Sequence, residues 1–134
     1  MERFVKRTMK IDNSAPMVPA SQVAQTRCGD CRHYALLTTA LCRAAGMPAR
    51  TALGLMYVER GQKPAMGFHM WTEVWVNGQW LGLDATLGRG GIGAGYIKIT
   101  DHAWHDTRSL TPLLPVSRVL GKLAIDVVSF EAGD

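Results

Sequence analysis

Three short stretches of this chain carry side chains that could together attack a carbonyl group. Cys31 follows Gly29 and Asp30 at the mouth of an almost wholly apolar run, His69 lies in Phe68-His69-Met70-Trp71, and Asp84 lies in Leu83-Asp84-Ala85-Thr86 just past a tight turn. A thiol adds to an amide or ester carbonyl as its thiolate, so a nucleophilic cysteine needs surroundings that favour the anion. The free amides and dipole of a helix start favour it, and a neighbouring imidazolium favours it more. Cys31 has the first from its local sequence. His69 would supply the second if its strand crosses the helix start, and Asp84 would then accept a hydrogen bond from the other ring nitrogen and hold the imidazole in place. Alone, Cys31 would read as a buried structural thiol and His69 as a half-buried histidine, because free cysteine is among the most buried residue types. Their combination turns the reading to catalysis.

The elements that must position these groups are legible. The main helix is expected from Cys31 to Ala45: Asp30 can cap its free amides, and Gly46 followed by Pro48 ends it. Tyr34, Ala35, Leu36, Leu37, Ala40, Leu41 and Cys42 surround most of its circumference, so it is a buried central helix. Ala49 to Val58 reads as a strand and Glu59 to Gly67 as a loop. Phe68 to Val76, Asn77-Gly78 and Gln79 to Asp84 form a strong hairpin signal, since Asn-Gly favours a two-residue turn with positive φ at both positions. If Val76 pairs with Gln79, then Trp75 faces Trp80, Glu73 faces Gly82, Trp71 faces Asp84 and His69 faces Thr86. That register makes His69 and Asp84 diagonal neighbours on one face, and a slip of one residue would separate them.

The flanking segments read more weakly. Met1 to Met9 is a candidate basic helix, Ile11 to Pro19 a connector, and Ser21 a candidate cap for a helix over Gln22 to Arg27. Leu87 to Gly95 is glycine-rich without the order or context of a phosphate loop, so it reads as a connection. Tyr96 to Thr100 is expected to be a strand, Asp101 to Pro115 loop or irregular helix, and Lys122 to Phe130 a closing strand. The expected layout is one domain over 1–134: an N-terminal helix and linker over 1–20, a core carrying the site over 21–100, and an extension over 101–134. The abrupt start is consistent with a piece excised from a longer protein that carries further domains.

The stretches Gly29-Asp30-Cys31, Leu41-Cys42-Arg43-Ala44-Ala45-Gly46-Met47-Pro48-Ala49-Arg50, His69-Met70-Trp71-Thr72-Glu73-Val74 and Trp80-Leu81-Gly82-Leu83-Asp84-Ala85-Thr86 resemble the transglutaminase-like superfamily, a branch of the papain-like cysteine enzymes. The resemblance runs from about Val23 to Thr86. It implies an α+β fold in which a buried central helix, with the nucleophile at its start, packs on an antiparallel sheet that presents His and Asp. It also implies amide chemistry through a thioacyl intermediate, with no metal and no cofactor. Carried over by position, Cys31 is the nucleophile, His69 the general base and then acid, and Asp84 the orienting carboxylate. Met70 stands where Ala is common and Ala85 where Pro is common; neither departure removes a catalytic group.

Other residues have weaker claims. The Cys31 amide is the obvious oxyanion donor, with Gln22 and Gln25 candidates for a second by proximity. Trp71 could line a substrate groove or pack the sheet, and Arg50 reads as a structural ion pair or strand-edge charge. Cys28 and Cys31 form a Cys-x-x-Cys with His33 and Cys42 nearby, but a second ligand pair at zinc spacing is missing and no thioredoxin-like strand precedes it. Cys28 could instead form a reversible disulfide with Cys31. His102 and His105-Asp106 read as a surface loop rather than a metal site.

Composition narrows the classes further. The chain has 134 residues, ample for a core without disulfides, and its net charge of +4 comes from scattered basic residues that form no nucleic-acid stripe. No apolar run approaches a membrane span, so no membrane insertion is expected of this stretch, and its start lacks the pattern of a signal peptide. Three cysteines leave the compartment undecided: cytoplasmic by default, exported if the chain is excised from a longer precursor. The reading is a cysteine peptidase or amidase acting on a peptide or protein amide. The alternatives are a protein-glutamine transamidase and a non-catalytic binding module of the same fold.

Overall fold

The computed structural model describes residues 1–61, 63–104 and 111–129. Its main sheet has four strands in the order β5-β4-β3-β6, formed by β3 (Ala49–Arg60), β4 (Lys63–Val76), β5 (Gln79–Leu83) and β6 (Tyr96–His102), all antiparallel. Helix α3 (Cys31–Ala44) lies across one face. Alternation along the strands decides which face: Leu53 and Met70 meet Ala35 and Leu36 of the helix, while Ala49 and Val74 meet Cys42. Two threonines fix the contact. Thr72 Oγ1 donates to the Ala35 carbonyl at 3.0 Å and meets Thr39 Oγ1 at 3.1 Å, so the buried hydroxyls are satisfied.

The opposite face is polar and aromatic. Arg50 pairs with Glu73 at 2.8 Å and with Asp101 at 3.0 Å, and its guanidinium stacks over Trp80. Trp75 meets Trp80 edge-on with ring centres 5.3 Å apart. Arg50 is thus a structural ion pair, and the tryptophan pair is the cross-strand contact that the Asn77-Gly78 register requires. The turn has φ 50° at Asn77 and 83° at Gly78, and the ladder runs from Val76↔Gln79 to Thr72↔Leu83.

The N-terminal segment belongs to the same core. Helix α1 (Glu2–Thr8) and α2 (Ala20–Thr26) bring Val5, Met9 and Val23 against Tyr34, Leu37 and Ala85. Between them, β1 (Lys10–Ile11) pairs in parallel with β2 (Cys28–Gly29), which leads directly into α3. None of the helices among the described residues is long and apolar enough to cross a membrane.

Four expectations change. The segment Glu59 to Gly67 is not a loop: β3 and β4 pair out to Arg60↔Lys63. Pro64 fits because the pair next to a closing hydrogen-bonded pair turns its N–H away from the partner, toward an edge that β5 does not reach. Pro19, with φ already near −60°, stands at the start of α2, so Ser21 lies inside the helix. The connector from Ile11 to Pro19 begins in a strand residue. The segment from Lys122 to Ser129 forms no strand; Phe130 lies outside the described residues. Its apolar residues are used otherwise, because Leu123 and Ile125 line a cavity of about 310 Å³ against Leu55, Met66 and Phe68 of the hairpin. Ahead of it, Thr111–Leu113 forms a 3-10 turn and α4 spans Leu114–Ser117.

One glycine is indispensable to the sheet. β6 shifts register opposite Leu53 and Gly54, and a Cβ on Gly54 would stand 2.0 Å from the Ile97 carbonyl oxygen. Gly54→Ala is expected to destabilise the protein by about 2 kcal/mol or more, since backbone must move. Gly67→Ala in β4, where the new carbon would meet Val58 Cγ2 at an ordinary 3.7 Å, is expected to change stability by no more than about 0.5 kcal/mol. Urea unfolding midpoints of the two variants check this; equal midpoints would contradict it.

Candidate active site

The start of α3 is built by four consecutive residues and a histidine. Asp30 has extended backbone and its Oδ1 accepts the Arg32 amide at 3.0 Å, while the Asp30 amide donates to His33 Nδ1 at 3.1 Å. The His33 ring is fully buried, and its Nε2 donates to the Pro16 carbonyl at 2.9 Å. Gly29 is required beneath it, because a Cβ there would stand 2.3 Å from His33 Cγ. The motif therefore locks the backbone that carries Cys31 into the first turn, where amides have no partner inside the helix. Both His33 nitrogens are engaged, so this ring has none left for a metal.

His69 and Asp84 meet as the hairpin register requires. Asp84 follows the last ladder pair, and its Oδ2 accepts from His69 Nε2 at 2.8 Å. The carboxylate is 1% exposed and is met by two remote side chains and one local amide. Tyr96 Oη at the start of β6 donates to the same Oδ2 at 2.6 Å, and the Thr86 amide donates to Oδ1 at 2.9 Å. The Asp84 amide donates to the Glu2 carboxylate of α1 at 3.1 Å. Tyr96 also meets the rings of His69 and Trp71 edge-on, at 6.1 and 5.3 Å between centres. On its other side the His69 ring lies near Cys31, whose sulfur contributes to its electrostatics, and the two line one cavity. With Nε2 committed to Asp84, Nδ1 is the nitrogen that faces the thiol.

The electrostatics follow from this packing. Burial alone would lower the His69 pKa; the hydrogen bond and charge of Asp84, together with those of Cys31, outweigh it and push the value up to about 9. Burial would raise the Asp84 pKa, but the bonds from His69, Tyr96 and the Thr86 amide hold the carboxyl below its ordinary range. Burial and the Asp84 carboxylate push the Tyr96 phenol up, so it stays a donor.

A cavity of about 220 Å³ opens beside Cys31 and His69. Trp71 does not line it; this side chain is 1% exposed and packs in the sheet against Tyr96. Gln22 and Gln25 are exposed on α2 and are not among the cavity's lining residues. Cys28 is half-buried and a free thiol, and Cys42 is wholly buried, which pushes its thiol up. His102 Nδ1 accepts the Trp104 amide at 2.8 Å at the end of β6; His105 and Asp106 lie outside the described residues. Among the described residues no group of three metal-ligating side chains comes together. Sequence reasoning missed Tyr96 and Glu2, which reach Asp84 from remote elements. The β-prone Tyr96 stretch was visible, but nothing local indicates where its hydroxyl lands.

Comparison with known proteins agrees with the fold. The family model of the transglutaminase-like superfamily matches residues 1–85. A search of curated proteins gave no match. Among solved structures, one from Cytophaga hutchinsonii described as a "putative cysteine protease" superposes with a TM-score of 0.65 at 27% identity. The alignment covers 83% of this chain and 36% of that one, so the present chain spans little more than a third of that protein's length.

The His69 titration is a direct check. Its nitrogen NMR shifts are expected to show an imidazolium through neutral pH, with a midpoint near 9. In Asp84→Asn, burial acts without the compensating carboxylate, and the midpoint is expected to fall by more than one pH unit. The proton linkage has a sign. Folded His69 holds its proton above the ordinary value of 6.5, so its contribution to stability is complete below pH 6.5 and is lost as pH rises through about 9. That of Asp84 runs the other way: present above its ordinary 3.8, and lost as acid protonates the carboxylate. A His69 midpoint near 6.5 in both proteins would contradict the arrangement.

Proposed function

The chain belongs to the transglutaminase-like superfamily, and on that premise we propose that it is a thiol-dependent acyl-transfer enzyme that hydrolyses amide bonds of a peptide or protein. The observation that carries the reading is the 2.8 Å bond between His69 and the buried Asp84, with Cys31 at the start of α3 lining the same cavity as that ring. In this reading residues 21–100 hold the catalytic core, and the likeness to a protein described as a cysteine protease supports the reaction class.

The steps follow from the proton positions. The ring's raised affinity for its proton leaves His69 cationic beside the sulfur, so its work as a base is done before substrate arrives. The Cys31 sulfur forms a bond to the carbonyl carbon, and the π pair moves to oxygen. The resulting oxyanion is met by the Cys31 amide at the helix start. Collapse breaks the C–N bond; the leaving nitrogen takes the proton from His69, and a thioester remains. Water then gives a proton to His69 and its oxygen to the acyl carbon; the C–S bond breaks, the acid leaves, and the Cys31 thiolate stands again beside the protonated ring. Asp84 accepts from Nε2 throughout and keeps Nδ1 turned to the sulfur.

Hydrolysis is favoured over transfer to an amine by the walls of the cavity. Among the described residues that line it there is no carboxylate to hold an incoming lysine, and Asp30, next in sequence, is already bound by Arg32 at 2.6 Å. An intact set of interacting Cys, His and Asp argues against a purely binding module.

The test is amide cleavage across a peptide library, with and without an added primary amine. Cys31→Ala and His69→Ala are each expected to lower kcat by about 10³-fold or more, and Asp84→Asn by a similar order through loss of ring orientation. The amine is expected to leave the acid as the main product. Wild-type turnover that survives Cys31→Ala would sink the proposal, and a dominant amine adduct would replace hydrolysis by transamidation.

A further inference from the structure

The cavity beside Cys31 has more to say than its position. Leu53 and Met70 form its floor from β3 and β4, Leu113 and Val116 form a wall from the 3-10 turn and α4, and Phe68 stands at its edge, 47% exposed. Among the described residues that line it the cations are Arg32, met by Asp30 at 2.6 Å and by the Ala15 carbonyl at 3.3 Å, and protonated His69, met by Asp84 at 2.8 Å. A side chain entering the cavity therefore finds apolar surface and no uncompensated charge. Protein interiors close such gaps by packing, so an open apolar space against a reactive pair calls for an occupant. The size restricts what that is. At about 220 Å³ the cavity falls below the roughly 300–1,000 Å³ of sites that take whole ligands. It matches one side chain of an extended substrate whose main chain runs outside.

We propose that this cavity is a specificity site for a single uncharged, branched-aliphatic or aromatic side chain of the acyl donor, next to the amide that Cys31 attacks. The assignment rests on the proposed amide chemistry, and it names what that chemistry selects. Leu113 and Val116 make the selection depend on a segment outside the catalytic hairpin. Acidic side chains are refused for lack of a free cation, and glycine gains nothing from the apolar walls.

The experiment is binding to the Cys31→Ala variant, which separates recognition from turnover. Four blocked amino-acid amides are titrated by NMR: N-acetyl-leucinamide, -phenylalaninamide, -glycinamide and -glutamic acid α-amide. The leucine and phenylalanine compounds are expected to bind about tenfold tighter or better than the other two, with shifts at Leu53 and Val116 methyls. Adding Val116→Trp, which fills the space from α4, is expected to abolish the preference. Adding Leu113→Lys instead is expected to raise the affinity of the glutamic acid compound above its level in Cys31→Ala alone, a gain that a misfolded protein cannot show. Equal binding of all four compounds, a preference that survives Val116→Trp, or no gain with Leu113→Lys would overturn the assignment. A failure here leaves the Cys31–His69–Asp84 chemistry standing, because that is read from cleavage by the triad variants.

Discussion

A carboxylate that is 1% exposed must be surrounded by donors or it will not stay ionised, and the satisfaction of Asp84 is the constraint on which this structure depends. Its donors are drawn from the whole chain: His69 from β4, Tyr96 from β6, and the Thr86 amide from the turn that ends the hairpin. The Asp84 amide in turn holds Glu2 of α1, and the adjoining Thr86 carbonyl takes Lys6. Shifting any of these elements would leave a buried charge or a buried donor without its partner. Breaking such a cluster costs about 3–5 kcal/mol, several times what an exposed ion pair contributes. The site and the fold are therefore held by the same bonds.

Cys31 is fixed from the other side. The cap at Asp30, the buried His33 ring and the close approach over Gly29 set the first turn of α3 without reference to the sheet. The two halves meet because Thr72 and Met70 seat α3 on β4, one strand position away from His69. Packing of apolar and hydroxyl groups sets the distance; charge then sets the protonation.

What could be read from the residues divides along the same line. Asn77-Gly78 fixes a register because its two positive φ angles admit one turn geometry, and from that register the meeting of His69 and Asp84 followed. The Asp30 cap and the apolar run after it were equally local, and so was α3. Long-range contacts were not. Tyr96 reaches Asp84 only because β6 joins the far side of β3, a pairing that no neighbouring residue dictates. Lys122 to Phe130 looked like a strand because it is apolar and β-prone, yet no strand forms over its described residues, and Leu123 and Ile125, both largely exposed, line a cavity beside the hairpin. Pro64 looked like a loop residue, but an open edge removes the cost of its missing donor. Nearness in sequence singled out Gln22 and Gln25, yet α2 ends in a left-handed residue, Arg27 with φ 51°, and both side chains remain in solvent.

The central claim is that Asp84 keeps a proton on His69 and so keeps Cys31 ready to react. It is tested most directly by the rate of Cys31 alkylation by iodoacetamide as a function of pH, in the wild type and in Asp84→Asn, with modified residues located by mass spectrometry. The account predicts that wild-type Cys31 is alkylated far ahead of Cys28 and Cys42. Its rate should change near pH 9, where His69 loses its proton, and Asp84→Asn should lose the advantage that Cys31 shows below that pH. A wild-type Cys31 no faster than Cys28, with a rate that shows no change near pH 9 and is unaltered in Asp84→Asn, would contradict it.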